Sequence, residues 1–135
     1  MEVEREAKPL HGLTRAIFIS AFHGLLWIVL LGIMFIFVPS YQKVFTDFEV
    51  DLPVMTEWVL MLSSLSVTYG HHILCIIVVL CMVDLIILFS LYQHPQAVVL
   101  RWLWLSVMIL IPLALMVWTL LVVLLPWISI TESLS

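Results

Sequence analysis

Three stretches of this chain, residues 16–38, 73–92 and 102–125, are apolar on every side and almost free of charge. A helix rises about 1.5 Å per residue, so each stretch is long enough to cross a hydrocarbon core of roughly 30 Å. A buried helix of a soluble protein rarely needs such length without a polar face. The pattern therefore predicts an all-α membrane fold with three transmembrane helices.

The pattern changes between the first two stretches, at residues 39–72. Pro39 predicts a break at the end of the first span. Tyr41, Val44, Phe45 and Phe48 then recur at i, i+3, i+4 and i+7, with Gln42, Lys43, Thr46, Asp47 and Glu49 filling the opposite side. That spacing predicts a short amphipathic helix. The run from Glu49 to Pro53 is a second break, and Pro53 suits the first turn of a second helix. In that helix Met55, Trp58, Val59, Leu62 and Leu65 form an apolar face, and Ser63, Ser64, Ser66 and Thr68 a polar one. Gly70, His71 and His72 separate it from the second span, where the helix either continues or kinks. The remaining pieces are an arm at 1–15, in which Pro9 interrupts any helix, a loop at 93–101 and a tail at 126–135. Pro112, near the middle of the third span, removes one backbone bond and predicts a kink. Gly24 and Gly32 lie about two turns apart and are placed to line one side of the first span.

Composition narrows the class. Of 135 residues 64% are hydrophobic, against five basic and nine acidic side chains. That excludes an ordinary soluble domain and a disordered chain. No basic patch supports nucleic-acid binding. Cys75 and Cys81 both fall in the second span, too far apart around one helix to bridge each other, and read as small packing residues. The first span is longer than a signal-peptide core and no small-x-small site closes it, so it reads as an uncleaved anchor.

Arg5, Lys8, Arg15 and Arg101 share one side of a three-span arrangement, and Lys43 stands alone on the other. That asymmetry predicts a cytoplasmic N-terminus and an extracytoplasmic C-terminus, with the two amphipathic helices outside. Tyr92, Trp102 and Trp104 fit an inner aromatic belt, and Tyr41 and Trp127 an outer one.

The segment Val38-Pro39-Ser40-Tyr41, followed by Phe45, Phe48, Leu52-Pro53, Thr56, Leu62-Ser63-Ser64 and Tyr69, resembles the inner-membrane platform proteins of type II secretion and type IV pilus systems. The order and spacing match from Val38 to about Tyr69. In that family the stretch faces away from the cytoplasm, which agrees with the lysine and arginine asymmetry. The resemblance implies a bacterial inner membrane. The family also carries large cytoplasmic helical domains that dock an assembly ATPase, and the cytoplasmic pieces here are too short to fold as such domains. What the resemblance implies is a reduced membrane core, or a relative put to another use.

Asp84 is the most suggestive single residue. A carboxylate within a span costs about 2.5–3.5 kcal/mol on insertion scales, so it normally has a partner. His23 lies about seven residues into the first span, and Asp84 about eight residues before the end of the second. The spans run in opposite directions, which brings both residues to one depth. Ser106 and the backbone freed by Pro112 are further candidate partners. The pair reads as a register-fixing contact, as part of a proton or ion relay, or, for Asp84, as a contact with another subunit. His71 and His72 stand at the outer end of the second span; His71 and Cys75, at i and i+4, can share a face, but no third metal ligand stands near them. No phosphate-cradling glycine cluster and no nucleophile with a positioned base appear, so no catalytic residue, metal or cofactor is expected. The sequence thus points to a structural or accessory subunit of a membrane complex. Its expected partners are the bilayer and other subunits or copies of itself, with Tyr41, Phe45, Phe48 and Trp58 as contact candidates. A reduced secretion platform is one alternative. A proton-conducting or pore-forming oligomer of the holin type, using Asp84 and His23, is the other.

Overall fold

A computed structural model describes the backbone of residues 2–47 and 52–133, and the side chains of residues 12–47, 52–126 and 128. Almost every described residue is helical. The order is α1 (Glu2–Gly32), a π-helical turn (Ile33–Phe37), α2 (Val38–Asp47), α3 (Val54–Gln93), a 3-10 turn (Pro95–Ala97) and α4 (Val98–Ser133). Three helical stretches, Gly12–Asp47, Val54–Gln93 and Pro95–Pro126, are long and apolar enough to cross a membrane. This is the architecture of a multi-pass membrane protein.

The helices are longer than the hydrophobic runs that predict them, because prolines do not end them where expected. The backbone runs helically through Pro9, which interrupts nothing. It also runs through Pro39, where a break was expected. A proline ring inside a helix collides with the carbonyl four residues back. Here the turn just before Pro39 widens to π geometry, and the Val38 N–H donates to Ile33 O, five residues back. The Ser40 hydroxyl donates to Ile36 O at 2.7 Å, which supplies a partner in the same disturbed turn. Pro53 stands one position earlier than expected, as the residue capping α3, and its carbonyl accepts from the Thr56 and Glu57 N–H groups. The expected loop at 93–101 shrinks to His94 and the 3-10 turn. Pro112 lies buried within α4, which is helical on both sides of it.

The second inter-span helix is not separate from the second span. α3 is continuous from Val54 to Gln93, with non-helical angles at Tyr69 alone (φ −108°, ψ 21°). Contacts with α4 show why a bend is needed. Asp84 meets α4 at Trp104, and Thr56 meets it at Val122. Residues 84 to 56 of α3 thus cover an interval that α4 covers in residues 104 to 122, so α3 cannot run straight beside it. At the bend a Cβ on Gly70 would collide with the Phe35 ring, which seats the π turn of one helix against the kink of the other.

Each long helix buries a narrow stripe. On α1 it is Ala16, Ser20, His23 and Leu30. On α3 it is Thr56, Val59, Leu60 and Ser63, then Ile77, Asp84, Leu88 and Leu91. On α4 it is Pro112, Met116, Thr119, Val123 and Pro126. The alternating three- and four-residue steps of α4 match the seam of left-handed helix packing. Close approach between α1 and α3 occurs at Gly24, where a Cβ would lie 2.8 Å from Cys81 Sγ. Gly32 faces open space, so the two glycines do not form one contact stripe.

A cluster of Val38, Phe45, Val59, Leu60 and Val123 closes the end of the bundle nearest the α2–α3 connection. The Tyr41 ring packs tilted between those of Phe37 and Phe45, with centroids 4.6 and 6.3 Å away. The inward face of this part of α3 differs from the expected one. Met55, Trp58, Leu62 and Leu65 are exposed, and only Val59 of that set is buried.

Candidate polar site between the three helices

The interior polar residues gather where α1, α3 and α4 meet. Asp84, 1% exposed, and His23, 2% exposed, are the most deeply buried ionisable groups among the described residues. His23 Nδ1 lies 3.0 Å from Asp84 Oδ2. The Trp104 indole N–H donates to the other carboxylate oxygen, Oδ1, at 2.8 Å. With the His23 proton on Nδ1, each Asp84 oxygen accepts one hydrogen bond and each bond comes from a different helix. A carboxylate shared in this way ties the three helices at one level, because sliding any of them by a turn breaks a bond. One turn along α1, the Ser20 hydroxyl donates to Cys81 O at 3.0 Å, adding a second tie to α3.

The structure therefore brings His23 and Asp84 together, but the contact from α4 is not the expected one. Ser106 is turned away and donates to Trp102 O in its own helix at 2.9 Å. Trp104, read as a belt residue, supplies the bond instead. Its depth depends on the short connection. Asp84 and Trp104 lie equally far along the chain on either side of His94, at the tight connection, so α3 and α4 place them at one level. A loop of nine residues would have set Trp104 near the membrane boundary.

His23 Nε2 is buried and has no hydrogen-bond partner among the described residues, as is Thr119 Oγ1. A void of about 10 Å³ lies beside the pair, lined in part by Trp27, Cys81 and Met108.

A second set of polar contacts lies toward the other end. The buried Thr56 hydroxyl donates to Val122 O at 3.2 Å, and the buried Ser63 hydroxyl to Met34 O at 2.6 Å. These hydroxyls give the interior of that half its own polar ties between helices. The hydroxyls of Ser64, Ser66 and Thr68 instead bond carbonyls of their own helix.

Of the partner-contact candidates, Trp58 is 55% exposed and Tyr41 is half-buried. Phe45 is buried inside the chain and is not available to a partner. Phe48 lies outside the described residues. His71 and His72 are exposed with ring centroids 3.8 Å apart, and no group of three or more His, Cys, Asp or Glu side chains gathers among the described residues.

Comparison of the chain with protein-family models, with curated proteins and with solved structures finds no match.

Proposed function

We propose that this chain is a non-catalytic structural or accessory subunit of a larger membrane complex. In this reading the N-terminus is cytoplasmic, the C-terminus extracytoplasmic, and α2 with the first half of α3 forms an amphipathic cap outside. The observation that carries the proposal is the outer face of α3. This helix has 40 residues, about 60 Å of length against the roughly 30 Å of a hydrocarbon core. Along its first part, residues 54–68, Val54, Met55, Trp58, Met61, Leu62 and Leu65 are all exposed. A contiguous apolar face of this kind, turned away from the chain's own core, is the surface a second helix can pack on. A partner helix or a neighbouring copy would cover it, and an exposed tryptophan is the residue type that most often anchors such a contact.

The polar site supports the same reading. Its bonds are satisfied mainly inside the chain, so it holds three helices in register and leaves the outer faces for association. The test is purification from native membrane in mild detergent, followed by native mass spectrometry. Stoichiometric foreign subunits, or several copies of this chain, are the expected result. A monomer without any partner would overturn the proposal.

The reduced secretion or pilus platform is a second reading. What favours it is that residues carrying the likeness act together: Val38 and Phe45 pack in one cluster, and Thr56 and Ser63 tie α3 to its neighbours. Pilin-like proteins or an assembly ATPase among the co-purifying subunits would support it. A conducting oligomer is favoured by one observation, the unpartnered Nε2 of His23. Proton flux in vesicles that is unchanged in Asp84→Asn would remove it.

A further inference from the structure

At the end of the bundle where α3 turns into α4, the three helices spread apart around a cleft of about 770 Å³. Two arginines line it, Arg15 from α1 and Arg101 from α4. Arg101 lies over the Tyr92 ring, with its guanidinium carbon 4.8 Å from the ring centroid, which holds the cation against the wall. Arg15 is exposed and Arg101 half-buried. Neither forms an ion pair among the described residues, where His23–Asp84 is the one such contact. The described carboxylates are elsewhere: Asp47 and Glu57 belong to the opposite end, and Asp84 is occupied by His23 and Trp104. The remaining walls are apolar, with Ile19 on α1 and Val98 and Leu105 on α4.

We infer that this cleft is a binding site for an anionic glycerophospholipid. Two guanidinium groups with no ion pair among the described residues suit a phosphate, which such groups hold through paired N–H donors. Basic clefts between helices at the membrane boundary are suited to anionic headgroups. The apolar walls separate lipid from free phosphate, because they have nothing to offer an inorganic anion but give the first carbons of an acyl chain a surface to lie on. The two positive charges also separate anionic lipid from zwitterionic lipid, whose choline they repel. The inference rests on reading the three helices as membrane spans, and not on the role as a subunit.

The test uses the full chain, purified in detergent and delipidated, then titrated with phosphatidylglycerol or phosphatidylcholine and followed by native mass spectrometry. Phosphatidylglycerol adducts are expected at low lipid concentration, with phosphatidylcholine well behind. Removing one guanidinium, in Arg15→Gln or Arg101→Gln, weakens phosphatidylglycerol binding about fivefold, and removing both about thirtyfold, on the scale of one basic residue at an anionic surface. Ile19→Trp narrows the apolar wall, keeps both charges, and also lowers retention. Wild-type binding weakens with added salt, a measurement that depends on no variant folding. Equal retention of the two lipids, salt-independent binding, no adduct at all, or unchanged binding in the folded double variant would each overturn the inference. Displacement of phosphatidylglycerol by excess inorganic phosphate would assign the cleft to a free anion and overturn it equally.

Discussion

Asp84 accepts from two directions, and the two donors differ in how visible they are in the sequence. His23 is legible because an ionisable residue inside an apolar run is rare and costly, so a second one at equal depth is its natural partner. Trp104 is not, because aromatic residues near span ends usually mark the boundary. Its role depends on where α4 starts, and so on a connection that three residues of 3-10 helix make very short. The two contacts make a direct test possible. A double-mutant cycle of Trp104→Phe and Asp84→Ala, measured as unfolding free energy in detergent, is expected to give a coupling of roughly 0.6–1.7 kcal/mol, the range for side-chain bonds inside membrane proteins. Additive effects would sink the contact. Asp84→Ala alone should cost more than Trp104→Phe, because it leaves both His23 Nδ1 and the indole N–H buried without an acceptor.

At the scale of elements, the prolines carry the lesson. Pro39 and Pro9 read as breaks, yet both lie inside helices; at Pro39 the lost bond is taken up locally, as membrane helices allow. Distortion appears instead one turn earlier, in the π turn at Ile33–Phe37, and at Tyr69 on the facing helix. Those two irregularities meet through Phe35 and Gly70. Gly70→Ala is therefore expected to destabilise the bundle by about 1–3 kcal/mol, the usual cost of overpacking. Phe35→Leu should recover much of that loss in the double variant. Equal losses with and without the Phe35 change would show that the two helices do not meet there.

For the whole molecule, three antiparallel helices place the α2–α3 connection at one end and the α3–α4 turn at the other. Single cysteines at Lys43 and His94, in a chain whose Cys75 and Cys81 are replaced by serine or alanine, should react with a membrane-impermeant maleimide from opposite sides of a sealed vesicle. The lysine and arginine asymmetry expects the Lys43 position outside and the His94 position inside. Labelling of both positions from one side would contradict a three-span arrangement. The reverse order would keep the arrangement and invert its orientation.

The sequence by itself determined the number of spans and their approximate positions, and marked His23 and Asp84 as candidate partners at one depth. Long apolar runs and isolated intramembrane charges are decided locally, by the cost of putting polar groups in hydrocarbon. Only the tertiary structure decided which face of each helix turns inward. Where a helix is apolar all round, hydrophobicity carries no information about facing, because lipid is as apolar as a neighbouring helix. The inward stripes are marked instead by small and polar residues, such as Ala16, Ser20 and His23 on α1 and Thr119 on α4. In the first half of α3 the exposed set Met55, Trp58 and Leu62 is more apolar than the buried pair Thr56 and Ser63. Hydroxyls that bond a neighbouring helix's carbonyl gain from being inside, and that gain depends on a partner that lies far away in the chain.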